Sequence, residues 1–96
     1  MTEPLYKDYD AGLAMHKQVM GEDFVAKALG GATAFTQPIQ EYITRNAWGD
    51  AWQRLGPDLK ARSLITVAML IALGKPNELN GHVRGALNNG ATVEEM

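Results

Sequence analysis

Glycine and proline divide this chain into short segments, and within each segment apolar residues recur at three- and four-residue intervals. That spacing places apolar side chains on one side of an α-helix, whereas a half-buried strand needs strict alternation, which no segment shows. Glycine commonly ends helices, and proline is tolerated at their first position. The pattern therefore predicts an all-α fold, built as a small multi-helix bundle.

The predicted helices follow these breaks along the chain. They are Leu5 to Met20, Asp23 to Leu29, a third from Gln37-Pro38 onward, Pro57 to Leu73, and a fifth from Pro76 to Asn89-Gly90. The predicted inward residues are Ile39, Tyr42, Ile43, Asn46 and Ala47 in the third helix and Leu79, His82, Val83, Ala86 and Leu87 in the fifth. The fourth helix is apolar nearly all round after Arg62, so we expect it to be central and buried.

Composition excludes several classes of function. The chain has 96 residues, enough for one domain, 1–96, and 46% hydrophobic against 21% charged residues is typical of a folded protein. A net charge of -2 without a basic run argues against duplex nucleic acid as a partner. The longest apolar run, Leu64 to Leu73, is too short for a membrane helix, and the first residues lack a signal-peptide pattern. We therefore expect a cytoplasmic protein without a membrane partner.

Thr92 to Glu95 forms a capping box, which is the pattern of a helix start, yet the sequence stops at Met96. A single turn of helix is not stable alone. We expect that the domain lacks a C-terminal helix, or that context outside these residues supplies it.

His82 is the first candidate for acid–base chemistry, because an imidazole titrates near neutral pH and this one lies among Leu79, Val83 and Ala86. A core-edge histidine bonded to a carbonyl is the alternative that the spacing leaves open. His16 also lies on an apolar stripe, but no charged residue recurs beside it, so we expect a structural role.

A second stripe on the third helix consists of Glu41, Arg45, Trp48 and Trp52, roughly opposite its predicted core stripe. Two exposed tryptophans one turn apart indicate an interface or a pocket. Glu41 and Arg45 are also consistent with an ordinary surface ion pair. Arg62, beside apolar residues, needs a carboxylate partner, either a neighbouring acidic residue or a bound substrate.

Other chemistries have no support in the sequence. There is no cysteine, so disulfides, thiolate metal sites and thiol redox chemistry are impossible. Metal-ligand pairs at helical spacing, glycine-rich phosphate loops and nucleophile motifs are also absent. Metal, nucleotide and acyl-enzyme mechanisms therefore have no support, and we expect no metal site.

Three segments resemble the γ-carboxymuconolactone decarboxylases. They are Gln40 to Trp52 (QEYITRNAWGDAW), Arg62 to Gly74, and His82 to Thr92 (HVRGALNNGAT). The likeness extends over nearly the whole chain, and TRxAWGxxW followed by HVRxALxNG is a specific combination. Members of that family continue past the position of Met96 with a further helix, which agrees with the capping box.

The wider superfamily includes thiol-dependent alkylhydroperoxidases of the D type, whose motif combines a glutamate, two cysteines and a histidine. With His82 as that histidine, the cysteine positions fall on Lys75 and Glu78 and the glutamate position falls on Ser63. Because only the histidine is present, thiol peroxidase activity through this motif is excluded.

The resemblance implies decarboxylation of 4-carboxymuconolactone to β-ketoadipate enol-lactone and CO2, in the protocatechuate branch of aromatic catabolism, without a cofactor. Electrons released by the leaving carboxylate pass through the ring double bond to the lactone carbonyl, so the substrate is its own electron sink. It also implies an alkylhydroperoxidase D-like bundle assembled as a ring of dimers, a homohexamer with sites between subunits. The apolar fourth helix independently predicts self-association.

On this hypothesis His82 hydrogen-bonds the developing dienolate and supplies the proton. Arg45 or Arg62 holds a substrate carboxylate, and Glu41 either orients His82 or competes for Arg45. Trp48 and Trp52 wall the apolar part of the substrate. Two alternatives remain: a non-catalytic helical oligomerisation module in which His82 is structural, and an enzyme acting on another lactone or on a β-keto acid.

Overall fold

The computed structural model describes residues 8–96, in which every regular element is helical. The elements are α1 (Tyr9–Met20), α2 (Glu22–Gly30), α3 (Gln37–Ile43), a π-helical segment (Thr44–Trp48), a 3₁₀ turn (Ala51–Gln53), α4 (Leu59–Leu73) and α5 (Pro76–Asn88). The all-α prediction is confirmed, and α2 and α5 lie within about one residue of their predicted bounds. None of the helices in this range combines the length and the apolarity that crossing a membrane requires.

The chain divides into two compact units, Met1–Arg54 and Leu55–Met96. The first unit holds α1 to α3 with the π-helical segment and the 3₁₀ turn, and the second holds α4 and α5. That the two units act as a single domain stays a prediction.

An aspartate sets the start of α1. The Asp8 carboxylate accepts hydrogen bonds from the backbone N–H groups of Asp10 at 2.8 Å and Ala11 at 3.4 Å, so the helix begins at Tyr9. Such a cap satisfies backbone donors that have no partner within the helix. The predicted start at Leu5 lies outside the described residues.

Capping also corrects the start of α4. The Asp58 carboxylate accepts a hydrogen bond of 2.8 Å from the N–H of Ala61, so α4 begins at Leu59 and not at the predicted Pro57. Gly74 ends the helix as predicted, because its backbone adopts the left-handed conformation (φ 67°) that other residues rarely reach.

The core of the first unit differs from the prediction for the third helix. Its buried apolar side chains are Val19, Met20, Val25 and Trp48. The predicted inward residues Ile39, Tyr42 and Ile43 are all exposed, Tyr42 by 62%. The predicted core stripe was therefore wrong for these three residues, whereas Ala47 packs on the core partly buried, as predicted. The face assigned to the outside supplies the core residue Trp48 instead.

The π-helical segment accounts for the burial of Trp48. The Thr44 hydroxyl donates to the carbonyl of Gln40 at 2.9 Å, and the Gly49 N–H reaches five residues back to the Thr44 carbonyl at 2.8 Å. A π-helical turn holds more residues than an α-helical turn, so side chains after Thr44 fall behind the α-helical spacing. Trp48 thereby turns into the core.

α1 and the π-helical segment approach each other at two glycines. A Cβ atom on Gly12 would lie 2.9 Å from the Gly49 nitrogen and still closer to the Thr44 carbonyl oxygen. A Cβ atom on Gly49 would lie 2.6 Å from the Arg45 carbonyl oxygen and 2.7 Å from that of Asp8. Only glycine fits at both positions, because each contact is with backbone that cannot move aside.

In the second unit α4 packs against α5. Val67, Ala86 and Ala91 form its buried core, and Leu64, Leu79 and Val83 pack on it partly buried. The inward prediction is confirmed for Leu79, Val83 and Ala86 and wrong for Leu87, which is exposed.

α5 covers one side of α4 and leaves the other side uncovered. Ile65, Met69 and Leu73, spaced four residues apart, are each more than half exposed, Met69 by 57%. The expectation of a central, buried fourth helix is therefore met on one side only.

Polar contacts connect the residues that follow α5 to α4. The Asn89 side chain donates to the hydroxyl of buried Ser63 at 2.8 Å. The predicted capping box is confirmed: Thr92 N–H donates to the Glu95 carboxylate at 2.9 Å, and Glu95 N–H donates to the Thr92 hydroxyl at 3.2 Å. Lys60, 2.8 Å from Glu95, and Thr92 lower the pKa of the Glu95 carboxyl by hydrogen bonding.

Candidate active site

Stacked rings occupy the interior of the first unit. The His16 ring lies parallel to Trp48, with centroids 4.6 Å apart, and Trp48 lies 4.9 Å from the ring of Trp52. Phe24 meets His16 edge-on at 6.4 Å. We call these four residues the aromatic cluster; such stacking adds to the stability gained from burial.

The aromatic cluster confirms one expectation and corrects another. Trp48 and Trp52 do contact each other, but Trp48 is only 5% exposed and Trp52 is half-buried, so they do not form the exposed face that the α-helical spacing predicts. His16, expected to be structural, is buried against Trp48. Nothing in the spacing alone joins His16 to Trp48, because they lie on different elements.

Glu41 and Arg45 do not pair with each other. Glu41 accepts a hydrogen bond of 3.1 Å from the Gln37 side chain, one turn earlier on α3. The Arg45 guanidinium lies over the Tyr9 ring, 5.5 Å from its centroid, which is a cation–π distance. The Arg45 guanidinium therefore lies against α1, and the Glu41 carboxylate does not neutralise its charge.

His82 and Arg62 belong to the second unit. His82 is half-buried on α5, and its Nδ1 atom is buried. Burial lowers the pKa of the imidazole, and the nearby Glu78 carboxylate partly offsets this by raising it. Arg62, on α4, donates through Nε to the Pro57 carbonyl at 2.7 Å. Sequence analysis did not identify Glu78 as a neighbour of His82, although their four-residue spacing indicates it.

We expect Glu78→Gln to lower the pKa of His82 further, because the substitution removes the negative charge that favours the imidazolium. An NMR titration of the His82 ring protons measures this directly. Glu94→Gln removes an exposed charge elsewhere and is the control. An unchanged His82 titration in Glu78→Gln would contradict the expectation.

The lowered pKa of His82 also makes the free energy of unfolding depend on pH. The folded-state pKa of His82 lies below that of the unfolded chain, so the unfolded state binds the proton more readily. Its contribution to stability is complete above the unfolded pKa of about 6.5 and is lost as the pH falls through the folded pKa. Glu78→Gln should enlarge that loss.

The structure thus places the candidate residues in two groups. Glu41, Arg45, Trp48 and Trp52 belong to the first unit, and Arg62 and His82 belong to the second. Within residues 8–96, no three His, Cys, Asp or Glu side chains are grouped so that they could hold a metal ion. The catalytic and binding roles of all six residues stay predictions.

Between residues 8 and 96 every regular element is helical, the sequence contains no cysteine, and a half-buried histidine lies beside an acidic residue. These features define a class of helical proteins without thiol chemistry. The sequence model of the carboxymuconolactone decarboxylase family matches residues 37–96, and the chain belongs to that family.

Two characterised relatives are similar over most of this chain. It is 48% identical over 88 residues to the nitrosuccinic acid decarboxylase of Metarhizium robertsii, covering 92% of this chain and 62% of that protein. It is 42% identical over 88 residues to the 4-carboxymuconolactone decarboxylase of Acinetobacter baylyi, covering 92% of this chain and 66% of that protein. The chain thus spans less than two thirds of either relative. No solved structure matches it significantly.

Proposed function

We propose that this chain takes part in cofactor-independent decarboxylation of a small dicarboxylate that carries its own electron sink. The observation that carries the proposal is His82, a half-buried imidazole with a lowered pKa at the start of the HVRGALNNG segment. An imidazole can take up and deliver one proton, and burial lowers the pKa at which this one does so.

4-Carboxymuconolactone is the first candidate substrate, because one relative acts on it. The bond from the ring carbon to its carboxylate breaks, and CO2 leaves without the electron pair. That pair moves through the ring double bond to the lactone carbonyl, giving a dienolate. One proton, added to the carbon next to the carbonyl, completes the enol-lactone product.

Nitrosuccinate is the second candidate, favoured by the higher identity to the other relative. Here the bond between the nitro-bearing carbon and its carboxylate breaks, and the electron pair moves to the nitro group. One proton returned to that carbon gives 3-nitropropanoate. Both reactions make the same demands on the protein. It must keep the departing carboxylate poorly solvated, stabilise the delocalised anion, donate one proton and bind the second carboxylate.

His82 supplies the proton. Its imidazole N–H first donates a hydrogen bond to the delocalised anion and then transfers the proton to carbon. Arg62, in the same unit as His82, holds the carboxylate that remains, since a guanidinium matches a carboxylate bidentately. The roles expected of Glu41, Arg45, Trp48 and Trp52, which all belong to the first unit, stay predictions. No bound group is needed, since each substrate stores the electron pair.

The test is incubation of the protein with each substrate while the loss of ultraviolet absorbance and the release of CO2 are followed. Release of one CO2 per molecule of either compound supports the proposal. The compound that is decarboxylated faster is the preferred substrate. Absence of CO2 from both, together with an unchanged melting temperature in their presence, would favour a non-catalytic oligomerisation module.

We also propose that the chain self-associates through the uncovered side of α4, with a second copy as the occupant. Ile65, Met69 and Leu73 present three turns of apolar surface without an intervening charge. A homohexamer arranged as a trimer of dimers is the expected assembly.

We expect Met69→Lys to weaken this association about tenfold or more, because it places a charge where about 2 kcal/mol of apolar burial is expected. Light scattering during size exclusion measures the assembled mass. Ile71→Lys is the matched control, since Ile71 is similarly exposed but points to another side of α4. A wild-type monomer at micromolar concentration would contradict the proposal.

A further inference from the structure

A groove of about 310 Å³ runs along α5 within the second unit. It is lined by Asn80, Val83, Arg84, Leu87 and Asn88. These residues recur at three- and four-residue intervals, so they form one stripe along the helix. Its volume is at the lower end of the range found for small-molecule sites. We call it the Arg84 groove.

Arg84 gives the groove its charge. Its side chain is exposed and forms no ion pair with any residue between 8 and 96, whereas Arg54 pairs with Asp50 and Lys60 with Glu95. The residues one turn to either side, Asn80 and Asn88, are uncharged, so α5 itself supplies no neutralising carboxylate there. Among residues 8–96, therefore, no ion pair compensates the positive charge of the groove.

The chemistry of the lining defines a ligand class. A guanidinium donates two parallel hydrogen bonds to a carboxylate, and the carboxamide of Asn80 supplies further donors and an acceptor. Val83 and Leu87 add aliphatic surface beside the charge. We propose that the Arg84 groove binds a small organic acid, with its carboxylate on Arg84 and its short aliphatic body on Val83 and Leu87.

This site is separate from the one proposed for decarboxylation. Arg84 follows His82 by two residues, which places the two side chains on nearly opposite sides of α5. A ligand on Arg84 therefore does not contact His82 of the same chain. The inference goes beyond the proposed function, because occupancy of the groove requires no turnover.

The experiment is an NMR titration with butyrate, and with neutral butyramide as the matched ligand. We expect butyrate to shift the Arg84 guanidinium and the Asn80 carboxamide signals in a saturable way. Arg84→Gln should weaken binding about tenfold, and Arg84→Lys should weaken it less, since a lysine keeps the charge but not the fork. Lys27→Gln, which removes an exposed cation from α2, should leave the affinity unchanged.

Three results would overturn the proposal. They are equal shifts with butyramide, unchanged butyrate affinity in Arg84→Gln, and shifts that depend on protein concentration alone, which would assign the groove to a second copy. His82→Gln separates this proposal from the catalytic one: the groove should still bind butyrate in that variant. Loss of butyrate binding there would place the ligand at His82 instead.

Discussion

Gly12→Ala should destabilise the first unit by about 3 kcal/mol or more, the upper end of the cost of overpacking. The added Cβ would overlap the Thr44 carbonyl oxygen and lie 2.9 Å from the Gly49 nitrogen. Both atoms belong to backbone, so relief requires α1 to move away from the π-helical segment. That movement would also separate His16 from Trp48, whose rings are stacked at 4.6 Å.

Thermal unfolding followed by tryptophan fluorescence measures this effect, because both tryptophans of the chain lie in the first unit. For a chain of this length, about 3 kcal/mol corresponds to a loss of roughly 15 °C in melting temperature. Gly30→Ala is the matched control, because nothing lies within 4 Å of its added Cβ and Gly30 closes α2. A Gly12→Ala protein that melts within about 2 °C of the wild type would contradict the close approach.

This contact shows where the sequence was and was not informative. The glycines that end helices could be predicted, because Gly21, Gly74 and Gly90 interrupt local apolar patterns and adopt positive φ values. Gly12 lies inside a regular helical pattern, and its role depends on the Thr44 carbonyl, thirty-two residues away in the sequence. Local spacing contains no information about such a contact.

The π-helical segment explains the main error in the same way. Glu41, Arg45, Trp48 and Trp52 share a face only while the chain keeps α-helical spacing. The hydrogen bond from Gly49 back to Thr44 changes that spacing in the middle of the stripe. Sequence motifs identified the candidate site residues. Their exposure could not be predicted in the same way, because a periodicity argument assumes a regular α-helix and the π-helical segment interrupts it.

The exposed side of α4 shows a different limit. Its apolar composition was evident from the sequence, which predicted a central, buried helix and, from the same apolar surface, self-association. A two-helix unit can cover only one side of such a helix, so Ile65, Met69 and Leu73 remain uncovered. Composition predicts that a surface will be buried but does not say whether the same chain or another copy covers it.

The largest functional effect is expected for His82→Gln, which should lower kcat for decarboxylation by about 100- to 10,000-fold, the usual contribution of a positioned proton donor. Glutamine retains a hydrogen-bond donor of similar size but cannot transfer a proton near neutral pH. Asn77→Ala, an exposed change on the same helix, should retain the wild-type rate. If His82→Gln keeps its fold, its assembled mass and a rate within about threefold of wild type, His82 is not the proton donor.

The pH dependence distinguishes a proton donor from a merely structural histidine. Burial lowers the pKa of His82 in the free protein, so kcat/KM should fall as the pH rises through a midpoint below about 6.5. A bound dicarboxylate brings negative charge to the imidazole and raises its pKa, so the midpoint for kcat should lie at higher pH. Binding of the dicarboxylate would then favour the protonated form of His82. The negative charge of the substrate stabilises the imidazolium, which is the form that donates the proton. Coincident midpoints, or rates that rise through this range, would contradict that coupling.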